Sequence, residues 1–361
     1  MEKNKNNYCV IMSGGIGSRF WPVSRTNLPK QFLDFFGTGR TLIQQTFDRL
    51  SKVVPPENVF IVTNRLYASL IKSQLPMLGD DQILLEPTRR NTAPCIAWAA
   101  YHIRALNPQA NIVVAPSDHL ILKEEEFLRA VSEGLDFVSQ GDRLLTLGVL
   151  PNRPETAYGY IQIDQKVSEN YYKVKTFTEK PNLEWAKVFV ESGEFYWNSG
   201  VFVWNVNTII KSLETSLPAL VEQMEVDVSV YGTEREAGFI EEHFPKCPNI
   251  SIDFGVIEKA DNVYVSLGDF GWSDLGTWSS LYDLSSKDEN ENVVLKGEAL
   301  CYNARKNLVM LENCKLAVVD GLEGYLVAET DDVLLICKKD DEHMIRKYVS
   351  DVQLQKGDEF V

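Results

Sequence analysis

The chain has 361 residues, enough for two domains or one large domain with an appendage. Its 44% apolar and 24% charged content is that of an ordinary globular protein. A net charge of −15 argues against nucleic acid or an anionic membrane surface as partner, because both demand a basic face. The polar start, residues 1–7, lacks the apolar centre of a signal peptide, and no run approaches the ~18 apolar residues of a membrane span. Cys9, Cys95, Cys247, Cys301, Cys314 and Cys337 form no C-x-x-C pair and read as reduced, mostly buried thiols of a cytoplasmic protein. The four histidines are too dispersed for a histidine metal site.

The first predicted element is a buried strand, Tyr8 to Met12, which opens into a glycine-rich stretch ending near Gln31. Gly14, Gly15 and Gly17 let the backbone turn tightly with no Cβ in the way of a ligand. Arg19 and Lys30 supply two cations, so the stretch can hold a polyphosphate. The spacing is not that of a Walker A loop, because Arg19 follows Gly14 where a glycine is required. Nor is it a dinucleotide fingerprint, because Phe20 stands at the third glycine. Trp21-Pro22 stops an immediate helix, which leaves a long loop. The plain alternative is an ordinary surface loop.

Next come a helix capped by Thr41, a strand over 58–63, a helix over 66–75 and a strand over 82–86. A long helix from Thr92 to Leu106, a strand over 111–115, a helix over 124–138 and a strand over 143–149 follow. Such alternation predicts an α/β fold with a Rossmann-like, mostly parallel mixed sheet flanked by helices. In these sheets ligands bind beyond the carboxyl ends of the strands. The loop after the third strand runs from Glu86 to Pro94, where Asn91 or Thr92 caps the next helix and leaves free N–H groups at its start. Capping alone would also explain those residues. After the fourth strand Asp118 points toward the ligand crevice, and its hard oxygens suit Mg2+ unless it merely closes a turn. His119 reads as structural.

From Pro151 the alternation changes. Tyr158-Gly159-Tyr160 leads into a strand, and Glu179-Lys180-Pro181 ends another. As a site, Glu179 would accept from sugar hydroxyls and Lys180 would hold a phosphate; as a surface pair they would contribute little. Asn198, before an apolar strand at 201–204, both donates and accepts, which suits a vicinal diol. Helices follow over 183–192, 206–213, 219–224 and 235–243. Ser251 to Lys259 reads as a capped short helix, 263–267 as a strand, and Asp274 falls in a Gly- and Trp-rich turn before a helix near Thr277. Beyond about residue 290, short apolar runs broken by polar residues suggest an all-β appendage, a short β-helix or roll, with a terminal helix over 340–350. We therefore expect domains at 1–286 and 287–361.

Gly14-Gly15-x-Gly17-x-Arg19-x-x-Pro22 with Pro29-Lys30 resembles the signature loop of the sugar-phosphate nucleotidylyltransferases. Phe20-Trp21-Pro22, the E-P-x-x-R-N-T-A-P segment at 86–94, P-S-D-H at 116–119, F-x-E-K-P at 177–181, W-N-S-G at 197–200 and W-x-D-x-G-x-W at 272–278 resemble the mannose-1-phosphate guanylyltransferase branch. The resemblance spans residues 8–285. It implies the nucleotide-diphospho-sugar transferase fold and Mg2+-dependent transfer from GTP to mannose 1-phosphate. In that reading Arg19 and Lys30 are catalytic. Gly14, Gly15, Gly17, Asn91 and Thr92 bind the nucleotide. Gly159, Glu179, Lys180 and Asn198 bind the sugar phosphate, and Asp118 and Asp274 hold Mg2+. The tail is too short for an isomerase domain and lacks paired histidines, so no second activity is expected; homodimer formation is one use left open for it. Two alternatives remain: a relative with another sugar or base, and a non-catalytic regulatory subunit.

Overall fold

The computed structural model describes residues 3–15, 17–312 and 316–361. Cys314, and Ile16 within the glycine loop, lie outside the described residues. The fold groups into two compact units: 1–14, 46–117 and 121–272 form the first, and 15–45, 118–120 and 273–361 the second.

Among the described residues the first unit is built on a nine-stranded sheet: β1 Asn7–Ser13, β2 Val59–Asn64, β3 Ile83–Glu86, β4 Asn111–Pro116, β5 Leu144–Val149, β6 Gly159–Lys166, β7 Tyr171–Glu179, β8 Phe195–Asn205 and β9 Val263–Leu267. Their order is β3-β2-β1-β4-β8-β5-β9-β7-β6. β1 pairs in parallel with β2 and β4, as do β2 with β3 and β5 with β9. β8 lies antiparallel to both β4 and β5 and separates them. The sheet is therefore mixed, parallel at one end and largely antiparallel at the other. Alternation in sequence concealed this, because β8 enters from β7 by way of one helix and inserts between strands laid down earlier.

Helix α1, Thr92–Leu106, is buried from Ala93 through Ile103 and forms the centre of the main core with Phe202, Trp204, Ile209 and Phe244. Helix α2, Leu183–Ser192, is capped by Asn182 and covers a smaller cluster of Tyr158, Tyr160, Phe189 and Trp197. Each fully buried side chain of this kind contributes roughly 1.5–3 kcal/mol. These clusters hold the strands that carry Gly159, Glu179 and Asn198.

The second unit contains the glycine loop and the C-terminal strands. β10 Val293–Lys296, β12 Leu308–Leu311 and β14 Tyr325–Glu329 stack in parallel, with β15 Leu334–Lys338 antiparallel at the edge. β11 Glu298–Tyr302 pairs in parallel with β13 Leu316–Asp320. Parallel pairing in successive coils is the short β-helix pattern. Buried Asn292 and Asn307 ladder its corner: Asn307 donates its N–H (3.1 Å) and Nδ2 (3.0 Å) to Asn292 Oδ1, and Tyr325 N–H donates to Asn307 Oδ1 (2.8 Å). A terminal helix α3 covers Ile345–Lys356, a few residues later than the sequence pattern suggested. Between Leu281, Leu308, Leu326 and Ile345 one core joins the β-helix to Phe20, Trp21 and Phe35 of the glycine loop.

Candidate functional site

Each unit gathers its own group of sequence-predicted residues. In the first, β6 and β7 pair so that Gly159 stands opposite Glu179. A Cβ on Gly159 would come within 2.5 Å of Glu179 Oε2 and 3.3 Å of Asn198 Cβ. A side chain at Gly159 would thus have to displace the Glu179 carboxylate beside it. Lys180 turns into the left-handed region at φ 49, its N–H donating to Tyr158 O at 3.1 Å. Its exposed ammonium donates to Glu179 Oε1 at 2.5 Å, while Glu179 itself is nearly buried.

Asn198 is brought to the same place but is already engaged. Its Oδ1 accepts from Thr146 Oγ1 at 2.8 Å and from Gly200 N–H at 3.2 Å. Its Nδ2 donates to Asp253 Oδ1 at 3.0 Å. Among the described residues, Thr146 Oγ1 and Gly200 N–H stand at the Asn198 oxygen and one N–H of its amide has no protein partner. Thr146 and Asp253 carried no role in the sequence reading. Asp253 opens a π-helical turn, Asp253–Ile257, where a short capped helix was expected. Burial first, and then Glu179, push the Asp253 carboxyl up to about 7, against Lys180 and the Asn198 hydrogen bond. Glu258 accepts from Glu179 N–H at 3.3 Å, and its carboxyl is raised mainly by burial.

At the end of β3, Glu86 is buried, and a Cβ on Gly14 would lie 3.7 Å from Glu86 Oε1. Burial pushes that carboxyl up, opposed by the Cys95 hydrogen bond and by Arg89. Asn91, at φ 65, caps α1 by accepting from Thr92 N–H at 2.9 Å. The expected free N–H groups are spent or missing: Ala93 N–H donates to Ile250 O at 3.1 Å, and Pro94 has none. The Thr92 hydroxyl accepts from Ile252 N–H at 2.9 Å, so it holds the Asp253 turn.

In the second unit, Gly15 O accepts from Gln31 Nε2 at 3.0 Å, and Gly17 sits at φ 65 before the short turn Ser18–Phe20. Arg19 is half-buried and has no hydrogen bond or ion pair among the described residues. Lys30 is buried, and its ammonium donates to Asp118 Oδ2 at 2.9 Å and to the Asp274 carbonyl at 2.5 Å. Burial opposes the charge on Asp118, yet the Lys30 ammonium, with His119 beside it, holds the carboxyl below the usual range. Asp274 sits in a tight turn, its Oδ1 accepting from Gly276 N–H at 3.0 Å. Three distant segments thus meet at one ammonium.

The donor set of Asp118 and Asp274 is hard oxygen only, which fits Mg2+. Among the described residues no group of three or more His, Cys, Asp or Glu side chains is placed to hold a metal. The structure joins the two residues through Lys30, which meets the Asp118 carboxylate and the Asp274 backbone carbonyl, while the Asp274 carboxylate accepts from Gly276 N–H. Among the described residues no helix is long and apolar enough to cross a membrane.

The nucleotidyl transferase family model matches residues 8–291. Mannose-1-phosphate guanylyltransferase 2 of Escherichia coli O157:H7 is 36% identical over 98% of this chain and 74% of its own length. A mannose-1-phosphate guanylyltransferase of Klebsiella pneumoniae is 36% identical over 97% of this chain and 75% of its own. The structure of a mannose-1-phosphate geranyltransferase from Thermus thermophilus superposes with a TM-score of 0.86 at 32% identity, covering 96% of this chain and 99% of that one.

Proposed function

Since the chain belongs to the nucleotidyl transferase family, we propose that it transfers a guanylyl group from GTP to mannose 1-phosphate, giving GDP-mannose and pyrophosphate. An oxygen of the sugar phosphate bonds to the α-phosphorus, and the bond from that phosphorus to the β-phosphate oxygen breaks in line. The nucleophile is ionised near neutral pH, so no general base is needed. What the protein supplies is position and charge.

The observation that carries this reading is the buried Lys30 ammonium held by Asp118 Oδ2 and the Asp274 carbonyl. Two of its three N–H groups are committed among the described residues, and the third would meet an oxygen on the α-phosphate. Arg19, a cation with no protein partner among the described residues, takes the departing pyrophosphate. Gly14, Gly15 and Gly17 keep side chains away from the triphosphate, and Asn91 and Thr92 shape the start of α1 beside the base. Lys180 anchors the sugar phosphate, and Glu179, Gly159 and Asn198 orient the sugar. Asp118 and Asp274 would hold Mg2+, which when bound neutralises crowded phosphate oxygens.

The test is pyrophosphate release by the purified chain with GTP, UTP or dTTP against mannose 1-phosphate or glucose 1-phosphate, each with and without Mg2+. Release that is fastest with GTP and mannose 1-phosphate is expected. A different best pair would reassign the substrates. No release with any pair, alongside retained sugar-nucleotide binding, would favour a regulatory subunit.

A further inference from the structure

We infer that Asp253 is a further acceptor for the sugar's hydroxyl protons: it takes one N–H of Asn198, and the Asn198 amide, oriented by Gly200, faces the sugar as a donor. This deepens the proposed function and rests on it.

A side-chain amide has an oxygen with two lone pairs and a nitrogen with two N–H groups. The Asn198 oxygen accepts from Gly200 N–H at 3.2 Å and lies 2.8 Å from Thr146 Oγ1, whose one hydroxyl hydrogen it shares with the Val201 carbonyl at 3.1 Å. A backbone N–H can only donate, so Gly200 fixes which end of the amide is oxygen. One N–H of Nδ2 goes to Asp253 Oδ1 at 3.0 Å. A single N–H remains for a ligand. Thr146 is fully buried and Asn198 nearly so, which shields these bonds from solvent.

Asp253 is itself held. Its carbonyl accepts from Glu258 N–H at 3.0 Å across the π-turn, and such turns recur at functional sites. Ile252, Val256 and Ile257 anchor the turn in the core, and Thr92 Oγ1 accepts from Ile252 N–H. The charged groups around it are Glu179 and Lys180 at the end of β7 and Glu258 at the end of the turn. A carboxyl desolvated beside another carboxylate is a poor choice for stability alone, since an amide would satisfy Asn198 at less cost. What a carboxylate adds is acceptor capacity beyond the bond from Asn198. A sugar diol, with two O–H donors, is the class of ligand that uses it.

The experiment uses the full chain and measures KM for each substrate and kcat from about pH 5.5 to about 8.5. Wild-type turnover is established first; its absence overturns the guanylyl-transfer reading and not this one. With turnover in hand, Asp253→Asn is expected to raise KM for the sugar phosphate by about ten-fold or more and leave KM for GTP within about two-fold. The wild type should bind the sugar phosphate more tightly as pH rises through about 7, where Asp253 ionises. That part of the profile should vanish in Asp253→Asn. The substrate's own phosphate titrates near pH ~6 in both proteins and cancels in the comparison. Thr146→Val, which frees the Asn198 oxygen from the other side, should also raise KM for the sugar phosphate selectively, and it decides the matter if Asp253→Asn does not fold. Equal changes in both KM values, or an unchanged pH profile, would overturn the inference.

Discussion

Gly17 and Lys30 close the glycine loop on itself: a Cβ on Gly17 would lie 2.5 Å from Lys30 Cβ. The excursion between them returns to its starting point, so the backbone of Gly17 packs against the stem of Lys30. Gly17→Ala should therefore fail twice, because φ 65 disfavours a side chain and the new methyl displaces Lys30. We expect a stability loss of about 1–3 kcal/mol and a larger proportional fall in kcat. Thermal melts and pyrophosphate release measure the two. A variant with normal kcat would mean that Lys30 does not need this contact.

The pair formed by Lys30 and Asp118 should be coupled. Lys30→Met leaves a carboxylate without its cation, and Asp118→Asn leaves a buried ammonium without its anion. Asp118 keeps 31% of its side-chain exposure, so solvent moderates each loss to about 1–3 kcal/mol. In a double-mutant cycle the combined variant should lose less than the two singles together, by about 1 kcal/mol. Lys30→Met should also lower kcat far more than it weakens GTP binding, since the charge it meets is largest in the transition state. Additive stabilities would dissolve the pair as a unit.

Arg19 should behave oppositely. With no hydrogen bond or ion pair among the described residues, its removal leaves no polar partner stranded. Arg19→Ala should keep stability within about 0.5 kcal/mol while product inhibition by pyrophosphate weakens by about ten-fold or more. A melt lowered by several degrees would assign it a structural task.

Much of this was legible in the sequence. Helix Thr92–Leu106 shows in the sequence at its observed bounds, because Asn91 caps it and a long apolar run fills it. For strand β8 the apolar pattern marks only 201–204, since Asn198-Ser199-Gly200 looks like a turn; Gly200 does adopt φ 72, yet the strand runs from Phe195 to Asn205. β11 leaves no such mark, because Glu298 to Tyr302 alternates with half-exposed residues and never forms an apolar run. The relay through Asn198 was not legible for a different reason. Its partners lie 52 and 55 residues away, and no local pattern marks Thr146 or Asp253 as neighbours.

Glu86 offers a test of base choice. A buried carboxylate can accept from two adjacent donors, which the Watson–Crick edge of guanine presents and that of uracil does not. Glu86→Gln keeps the shape but replaces one acceptor by a donor. The ratio of kcat/KM for GTP over UTP should fall by about ten-fold or more. A preserved ratio with lower overall activity would remove Glu86 from base recognition.

The last contact to test joins the glycine loop to the C-terminal strands. Arg25 donates to Asp332 Oδ2 at 2.7 Å and to Thr330 Oγ1 at 2.9 Å, and Trp21 Nε1 donates to Phe360 O at 2.7 Å. The Arg25 hydrogen bond holds the Asp332 carboxyl down to about 2. A depressed carboxylate contributes stability above its unfolded value of ~3.9, and that contribution is lost as pH falls through the folded value. Asp332 is 39% exposed, so the ion pair is modest, under about 1 kcal/mol. Arg25→Met should therefore melt lower than wild type at neutral pH, and the gap should narrow as the pH drops from about 4 toward about 2. It should also reduce kcat, because Arg25 tethers the loop that carries Arg19 and Lys30. A melting gap that persists unchanged in acid would trace the loss to packing of the Arg25 stem instead of to its charge.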